Sequence, residues 1–343
     1  MIKVLELFSG IGSFSLALKT LGIEHEIVGY SDIRPTAVKL FSKLHNIPES
    51  DNLGDVREVD ATGLDVDLIT FGSPCQSFTR AGKLGGGSKG SDTASSIMWE
   101  AIRIMKETNP KWIIWENVPD AINKRHFANF EEYMDELDDM GYNTYYELLN
   151  SNDLGSAQKR KRLFAVSVRK DIDTGNFRIN KIEKTAKPLS DYLEKYSDDM
   201  LEVSDYVKEN LILGTENGGH KIKNGTKLGY LIANEGDAVD VTYVTSKTRR
   251  GRVQKESVQT IMRQSTIATF QNDKLRYLTP LEYWRLQELP EELYQKVLEC
   301  NFSQSEAYDV IGGAINQLHL KTIFTSLSEE FNMKENVLWK QLV

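Results

Sequence analysis

A cysteine stands just past an apolar run in Phe71-Gly72-Ser73-Pro74-Cys75-Gln76-Ser77-Phe78. Val66 to Phe71 reads as a short buried strand, and Gly72 and Pro74 break it into a turn. Cys75 is therefore expected beyond the carboxyl end of a strand, the rim where open parallel α/β sheets bind ligands. A thiolate there is a strong nucleophile if its setting is electropositive and partly exposed. The other reading is an inert buried thiol. A second strand pattern, Lys111 to Trp115, runs into Glu116-Asn117-Val118-Pro119 and delivers a carboxylate to the same rim. Gln158-Lys159-Arg160-Lys161-Arg162 leads into a strand over Leu163 to Val168, and the alternation of Arg160 and Arg162 sends both to one side.

These groups need elements to hold them. Ile2 to Phe8 is a buried-strand pattern, followed by Ser9-Gly10-Ile11-Gly12-Ser13 and a helix with Phe14, Leu18 and Leu21 on one face. Strand, glycine turn and helix make a nucleotide-type site: glycines let the backbone approach a ligand, and a helix start offers free N–H groups. Ser15 stands where the dinucleotide fingerprint has its third glycine. The next strand, Glu26 to Ser31, ends at Asp32, 20 residues past Gly12, about where a carboxylate takes ribose hydroxyls. Spacing alone fits a helix-capping role before Pro35 equally well. Asp55, after Gly54, suits either an adenine amino group or the fixing of a turn. The stretch Gly85-Gly86-Gly87-Ser88-Lys89-Gly90-Ser91-Asp92 reads as a lid or a plain connection.

The 343-residue chain is long enough for one large domain or two modest ones. Its two cysteines, Cys75 and Cys300, make no disulfide framework, which points to a reducing, cytoplasmic setting. No apolar run approaches the about 20 residues of a membrane span, so no membrane partner is expected. The opening residues run straight into a strand pattern, unlike a signal peptide. No metal is expected. A net charge of −8 argues weakly against nucleic acid, yet basic residues cluster at Lys159 to Arg162, at Arg169-Lys170 and at Lys247 to Arg252.

The βα rhythm predicts an α/β fold, a Rossmann-like doubly wound and mostly parallel sheet. It includes helices over Ser95 to Asn109 and Phe127 to Met140 and a strand over Tyr142 to Leu149. The rhythm stops near Lys181. Residues 185 to 275 are mixed, with strand-like pieces at Leu228 to Ala233 and Val239 to Thr245, and read as a second, smaller domain. Helices return over Pro280 to Leu289 and Gln317 to Phe331, the last expected to pack on the first domain. The expected division is 1–184 with 279–343, and 185–278.

In order along the chain, these motifs resemble one family, the DNA cytosine-5 methyltransferases, in a bacterial or phage style. Phe8-Ser9-Gly10-Ile11-Gly12 is similar to its adenosylmethionine turn, with Asp32 and Asp55 as ribose and adenine acids. Pro74-Cys75-Gln76 resembles the catalytic cysteine motif, Glu116-Asn117-Val118 the glutamate motif, and Gln158-x-Arg160-x-Arg162 the arginine motif. Arg276-Tyr277-Leu278-Thr279 with Glu282, Arg285-Leu286-Gln287 and Pro290 resembles the motif organising a target-recognition domain, and Gly312-Gly313-Ala314-Ile315 the last motif. The resemblance implies a class I methyltransferase using S-adenosyl-L-methionine, with residues 185–278 as target-recognition domain. It implies catalysis by Cys75, Glu116, Arg160 and Arg162. It implies cofactor contacts at Phe8, Gly10, Gly12, Asp32, Ile33, Asp55, Val56, Pro74 and Ala314. Double-stranded DNA would meet Gln76, Thr79, Lys89, Arg249, Arg250 and Arg252, with the target cytosine flipped out of the duplex. A monomer is expected, with a cognate restriction endonuclease left open as partner.

Three positions depart from the family pattern. Gly313 replaces the usual asparagine, Ala94 stands where arginine is frequent, and Glu288 stands where glycine is common. None is Cys75, Glu116 or Arg162, so activity is expected, with weaker cofactor or DNA affinity. Two other readings stay open: a tRNA cytosine-5 methyltransferase of the same fold, and a catalytically weakened DNA-binding regulator.

Overall fold

The computed structural model describes residues 1–74 and 97–333. Cys75, Gln76, Thr79, Lys89 and Ala94, with the glycine-rich stretch, lie outside the described residues. Packing divides the chain into two units. The first comprises Met1–Asn150, Lys161–Ile182 and the chain from His319; the second comprises Ser151–Arg160 and Glu183–Leu318.

In chain order the elements are β1 (Ile2–Leu7), α1 (Ser13–Thr20), β2 (His25–Ser31), α2 (Pro35–His45), β3 (Leu68–Gly72), α3 (Met98–Thr108), β4 (Trp112–Asn117), α4 (Phe127–Asp139), β5 (Tyr142–Asn150), β6 (Gln158–Lys159) and β7 (Lys161–Arg169). All but β6 build the first unit. Its six-stranded sheet runs β2-β1-β3-β4-β7-β5. The pairs β1–β2, β1–β3 and β3–β4 are parallel, whereas β7 is antiparallel to both β4 and β5. The expected mostly parallel, doubly wound sheet is present, closed on one side by an antiparallel pair. From β1 the chain winds outward both ways, so the strand order reverses between β1 and β3. Ligands of such sheets bind beyond the strand carboxyl ends at that reversal.

Side-chain alternation along β4 explains how both faces are covered. Trp115 faces a core with Phe71, at 6.1 Å between rings, and Tyr133 of α4 at 4.8 Å. Trp112 points the other way, 5.9 Å from Phe331 of the final helix, α9 (Gln317–Phe331). Phe14 of α1 meets Phe324 of α9 edge-on at 6.5 Å. The last helix thus returns to the first unit, as its sequence position suggested. Among the described residues no helix is long and apolar enough to cross a membrane.

In the second unit the elements are α5 (Asp205–Leu211), β8 (Ile212–Glu216), β9 (Gly219–Lys223), β10 (Tyr230–Ala233), β11 (Ala238–Asp240), β12 (Val253–Gln254), β13 (Val258–Gln259), β14 (Ile267–Gln271), β15 (Lys274–Tyr277), α6 (Pro280–Leu286), α7 (Tyr294–Glu299) and α8 (Gln304–Gly312). They form sheets in the orders β10-β9-β8 and β12-β11-β14-β15, with β6 beside β13. This unit reaches further than the expected 185–278 segment, at both ends. The physical reason is a buried polar network. Gln158 donates to the Leu286 carbonyl at 2.8 Å and accepts from the Ile261 N–H. Arg276 and Glu282, both fully buried, form a two-pronged ion pair at 2.8 and 2.6 Å, and Glu282 also completes a capping box with Thr279. These bonds fasten α6 to the small sheets, so residues 279–318 pack with them.

Candidate active site

The first strand ends in a backbone contortion. Phe8 has φ of 50°, and Gly10 and Gly12 have φ of 57° and 76°. A left-handed residue other than glycine costs about 1–3 kcal/mol, and Phe8 bears it at the rim. The turn is pinned on several sides. Ser9 N–H donates to the Ser31 carbonyl at 2.9 Å, and Gly12 N–H to the Ser9 carbonyl at 2.9 Å. A Cβ on Gly12 would stand 2.1 Å from His45 Nε2 and 2.8 Å from Phe41, so only glycine fits. His45 Nε2 lies 3.1 Å from the Ile11 carbonyl, which places the proton of a neutral ring on that nitrogen. Burial pushes the imidazole down to about 4, so it is neutral at physiological pH. Beneath the turn, Glu6 of β1 is fully buried and accepts from the Ser15 N–H at 3.0 Å and from its hydroxyl. Burial raises the Glu6 carboxyl to about 7.

Two acids reach this rim from neighbouring segments. Asp32 follows β2 and is 7% exposed. Its carboxylate takes the Gly10 N–H at 2.9 Å and is gripped by Arg34. The capping and ligand readings of Asp32 are thus not exclusive, for it already shapes the turn. Asn52 exchanges two hydrogen bonds with the Asp32 backbone, and the Ser31 hydroxyl donates to the Gly54 carbonyl at 2.6 Å, which brings residues 52–56 alongside. There Asp55 caps a short helical turn and accepts from Arg57, and that bond holds its carboxyl below the usual range. Ile33 is 69% exposed, an apolar side chain beside these acids. Val56 has its side chain in the core, and its carbonyl accepts from Arg103 at 3.0 Å.

At the carboxyl end of β4, Glu116 is paired in register with Gly72 of β3. Ser73 ties the two strand ends together: its hydroxyl accepts from Trp115 Nε1 at 2.9 Å and from Asn117 Nδ2 at 3.1 Å. Pro74 follows and is the last described residue before position 75. Arg162, from β7, reaches Glu116 with its Nε 3.0 Å from Oε1, both side chains mostly buried. The cysteine strand and the glutamate–arginine pair are therefore assembled on the rim that carries the turn at 8–12.

Arg160 behaves differently from Arg162. Both were expected to serve catalysis; Arg162 meets Glu116, and Arg160 is held by other partners. Arg160 is 5% exposed in the second unit, and its guanidinium donates to the carbonyls of Ala314 at 3.1 Å and Ile261 at 3.5 Å. The chain changes units between Arg160 and Lys161. Ala314 is itself buried, its carbonyl shared with Gln287. A Cβ at Gly313 would stand 3.0 Å from Arg263 Nη2, the end of a half-exposed side chain. Glu288 adopts φ of 57°, the conformation glycine favours, and accepts from the Tyr192 hydroxyl at 2.5 Å.

In the basic segment, Arg249 and Arg252 are exposed and Arg250 is half-buried. Arg249 lies over the Tyr243 ring at 5.5 Å. Two glycines hold the loop close to its neighbours: a Cβ at Gly251 would fall 2.1 Å from the Lys223 carbonyl, and one at Gly225 2.9 Å from that of Lys247. Arg34 and His45 had no place in the sequence reading, and Ser73 and Asn117 stood there only as members of motifs. Arg34 alone carried a signal, as a cation two residues after the ribose candidate.

A family model for C-5 cytosine-specific DNA methylases matches residues 2–329. The orphan methyltransferase M.SPRI of Bacillus phage SPR is 27% identical, over 98% of this chain and 99% of its own. The type II methyltransferase M2.ScrFI of Lactococcus lactis subsp. cremoris is 27% identical, over 95% of this chain and 99% of its own. The crystal structure of the S. pombe Dnmt2 methyltransferase superposes with a TM-score of 0.69 at 20% identity, covering 97% of this chain and 100% of that one, a likeness of fold.

Proposed function

Because the chain belongs to the C-5 cytosine-specific DNA methylase family, we propose how its residues divide the work of methylating carbon-5 of cytosine in DNA. The chain is a DNA cytosine-5 methyltransferase, and its methyl donor in this reading is S-adenosylmethionine. The site suits such a donor: two acids stand beside the glycine turn, and exposed Ile33 offers an apolar surface to a base. Phe8 to Gly12, Asp32, Ile33, Asp55 and the Val56 N–H would hold it, with Pro74 beside them. Bound there, it supplies an electrophilic methyl group on a sulfonium.

Cys75 is the nucleophile. Its thiolate adds to carbon-6 of the flipped cytosine, which makes carbon-5 electron-rich enough to be alkylated. Glu116 hydrogen-bonds or protonates ring N3, so negative charge does not accumulate on the ring. Arg162 holds the Glu116 carboxylate and orients the base carbonyl. After alkylation carbon-5 loses its proton, and the carbon–sulfur bond breaks as the ring double bond re-forms. Arg249, Arg250 and Arg252 contact DNA from the second unit, with Gln76, Thr79 and Lys89 as further contacts.

The observation that carries this reading is the Glu116–Arg162 pair at the end of β4, in register with the strand that leads to Cys75. Bisulfite sequencing of plasmid DNA from cells expressing the protein tests it. Methylcytosine confined to one sequence context is expected. Unmodified plasmid beside newly methylated tRNA would move the substrate from DNA to RNA.

A further inference from the structure

The Asp32 carboxylate is saturated. Oδ1 accepts from the Arg34 backbone N–H at 2.9 Å and from Arg34 Nε at 3.2 Å. Oδ2 accepts from the Gly10 N–H at 2.9 Å and from Arg34 Nη2 at 3.1 Å. An ionised carboxylate has about four lone-pair sites, and these donors fill them. Two are backbone amides built into the turns and cannot leave without refolding them. The other two belong to one side chain, which is 28% exposed. A Cβ at Gly10 would stand 3.7 Å from Arg34 Nη2, so the guanidinium lies beside the open part of the glycine turn.

A ribose diol brings two hydroxyl donors of its own. It can be accepted on Asp32 only where the guanidinium now sits. We infer that Arg34 is a displaceable occupant of the diol subsite: nucleoside binding exchanges its two side-chain bonds to Asp32 for two hydroxyl bonds, and Arg34 thereby sets how strongly the site rewards a diol. The inference rests on reading Asp32 as the ribose acid. The exchange leaves the carboxylate aimed, because the amides of Gly10 and Arg34 stay in place. An arginine fork suits the waiting state, since it fills both oxygens at once.

The test uses neutral ligands, so that ligand charge does not enter. Adenosine and 2′,3′-dideoxyadenosine are titrated calorimetrically into the full-length protein, each also in competition with S-adenosylhomocysteine, for wild type, Arg34→Ala and Arg34→Lys. Arg34→Ala is expected to bind adenosine about five-fold tighter than wild type, the scale of a partly exposed ion pair, and to leave dideoxyadenosine unchanged. Arg34→Lys keeps a cation but loses the fork, and should show a smaller gain in the same direction. It also secures the test if the alanine variant does not fold. Adenosine bound no more tightly by either variant, or an equal gain for the dideoxy compound, overturns the inference while leaving the cofactor site intact. Failure of folded wild type to bind S-adenosylhomocysteine would overturn the site reading itself, and the inference with it.

Discussion

Glu116 reaches the rim with one oxygen held by Arg162 Nε at 3.0 Å, and both side chains are mostly withdrawn from water. Replacing the carboxylate by an amide keeps the shape and removes the proton-transfer group. Glu116→Gln is expected to lower turnover by about 10²–10⁴-fold, the usual span for a positioned acid or base. S-adenosylhomocysteine affinity should be unchanged, and single-turnover methylation with parallel calorimetry reads both. The nearness of Glu116 and Arg162 was legible in the chain, because each flanks a strong strand pattern. What was not legible is which side chains pair. Arg34 stands two residues after Asp32, but that spacing alone does not say that it grips the carboxylate. Arg160 alternates with Arg162 in the chain, yet its guanidinium donates to the carbonyls of Ile261 and Ala314.

The element that supports the turn is α2, whose last residue, His45, sits where a side chain on Gly12 would go. A buried neutral imidazole has a sign in its pH dependence. The unfolded chain takes up the proton near the ordinary value of 6.5, the folded one only near 4, so stability is fully present above 6.5 and is lost as pH falls through that window. The difference amounts to about 3 kcal/mol at most. Glu6 acts oppositely, since its folded pKa is raised: its contribution is present below the ordinary 4.5 and lost as pH rises to about 7. Urea unfolding of wild type and His45→Gln between pH 4 and 7 should separate the two, with the variant losing less stability on acidification. Parallel slopes would count against a buried neutral His45. Elements of the first unit followed from their apolar periodicity. The second unit was less legible. The hairpin β8–β9 turns on Asn217-Gly218, both with positive φ, a signal present in the sequence and passed over. The hairpin β14–β15 turns on Asn272-Asp273, also left-handed, with no glycine to mark it.

At the scale of the whole molecule, the candidate cofactor turn and the basic segment belong to different packing units. Reversing the charge of Arg249 and Arg250 should weaken DNA binding and leave S-adenosylhomocysteine affinity unchanged. If both contact phosphates, the salt dependence of binding falls by about one unit per contact; if either grips a guanine edge, discrimination at that position falls by about 1–3 kcal/mol. Binding of a cognate and a scrambled duplex at two salt concentrations distinguishes these outcomes, and unaltered binding to both would remove the segment from the interface. The central claim is covalent catalysis by Cys75, and it is tested most directly by a duplex carrying 5-fluorocytosine at the target position that bisulfite sequencing identifies. Fluorine at carbon-5 cannot leave as a proton, so an adduct that has accepted the methyl group is trapped. The account predicts a denaturation-resistant protein–DNA complex with wild type and cofactor, and none with Cys75→Ser. A trapped complex in the serine variant, or none in wild-type enzyme that methylates the normal duplex, would contradict it.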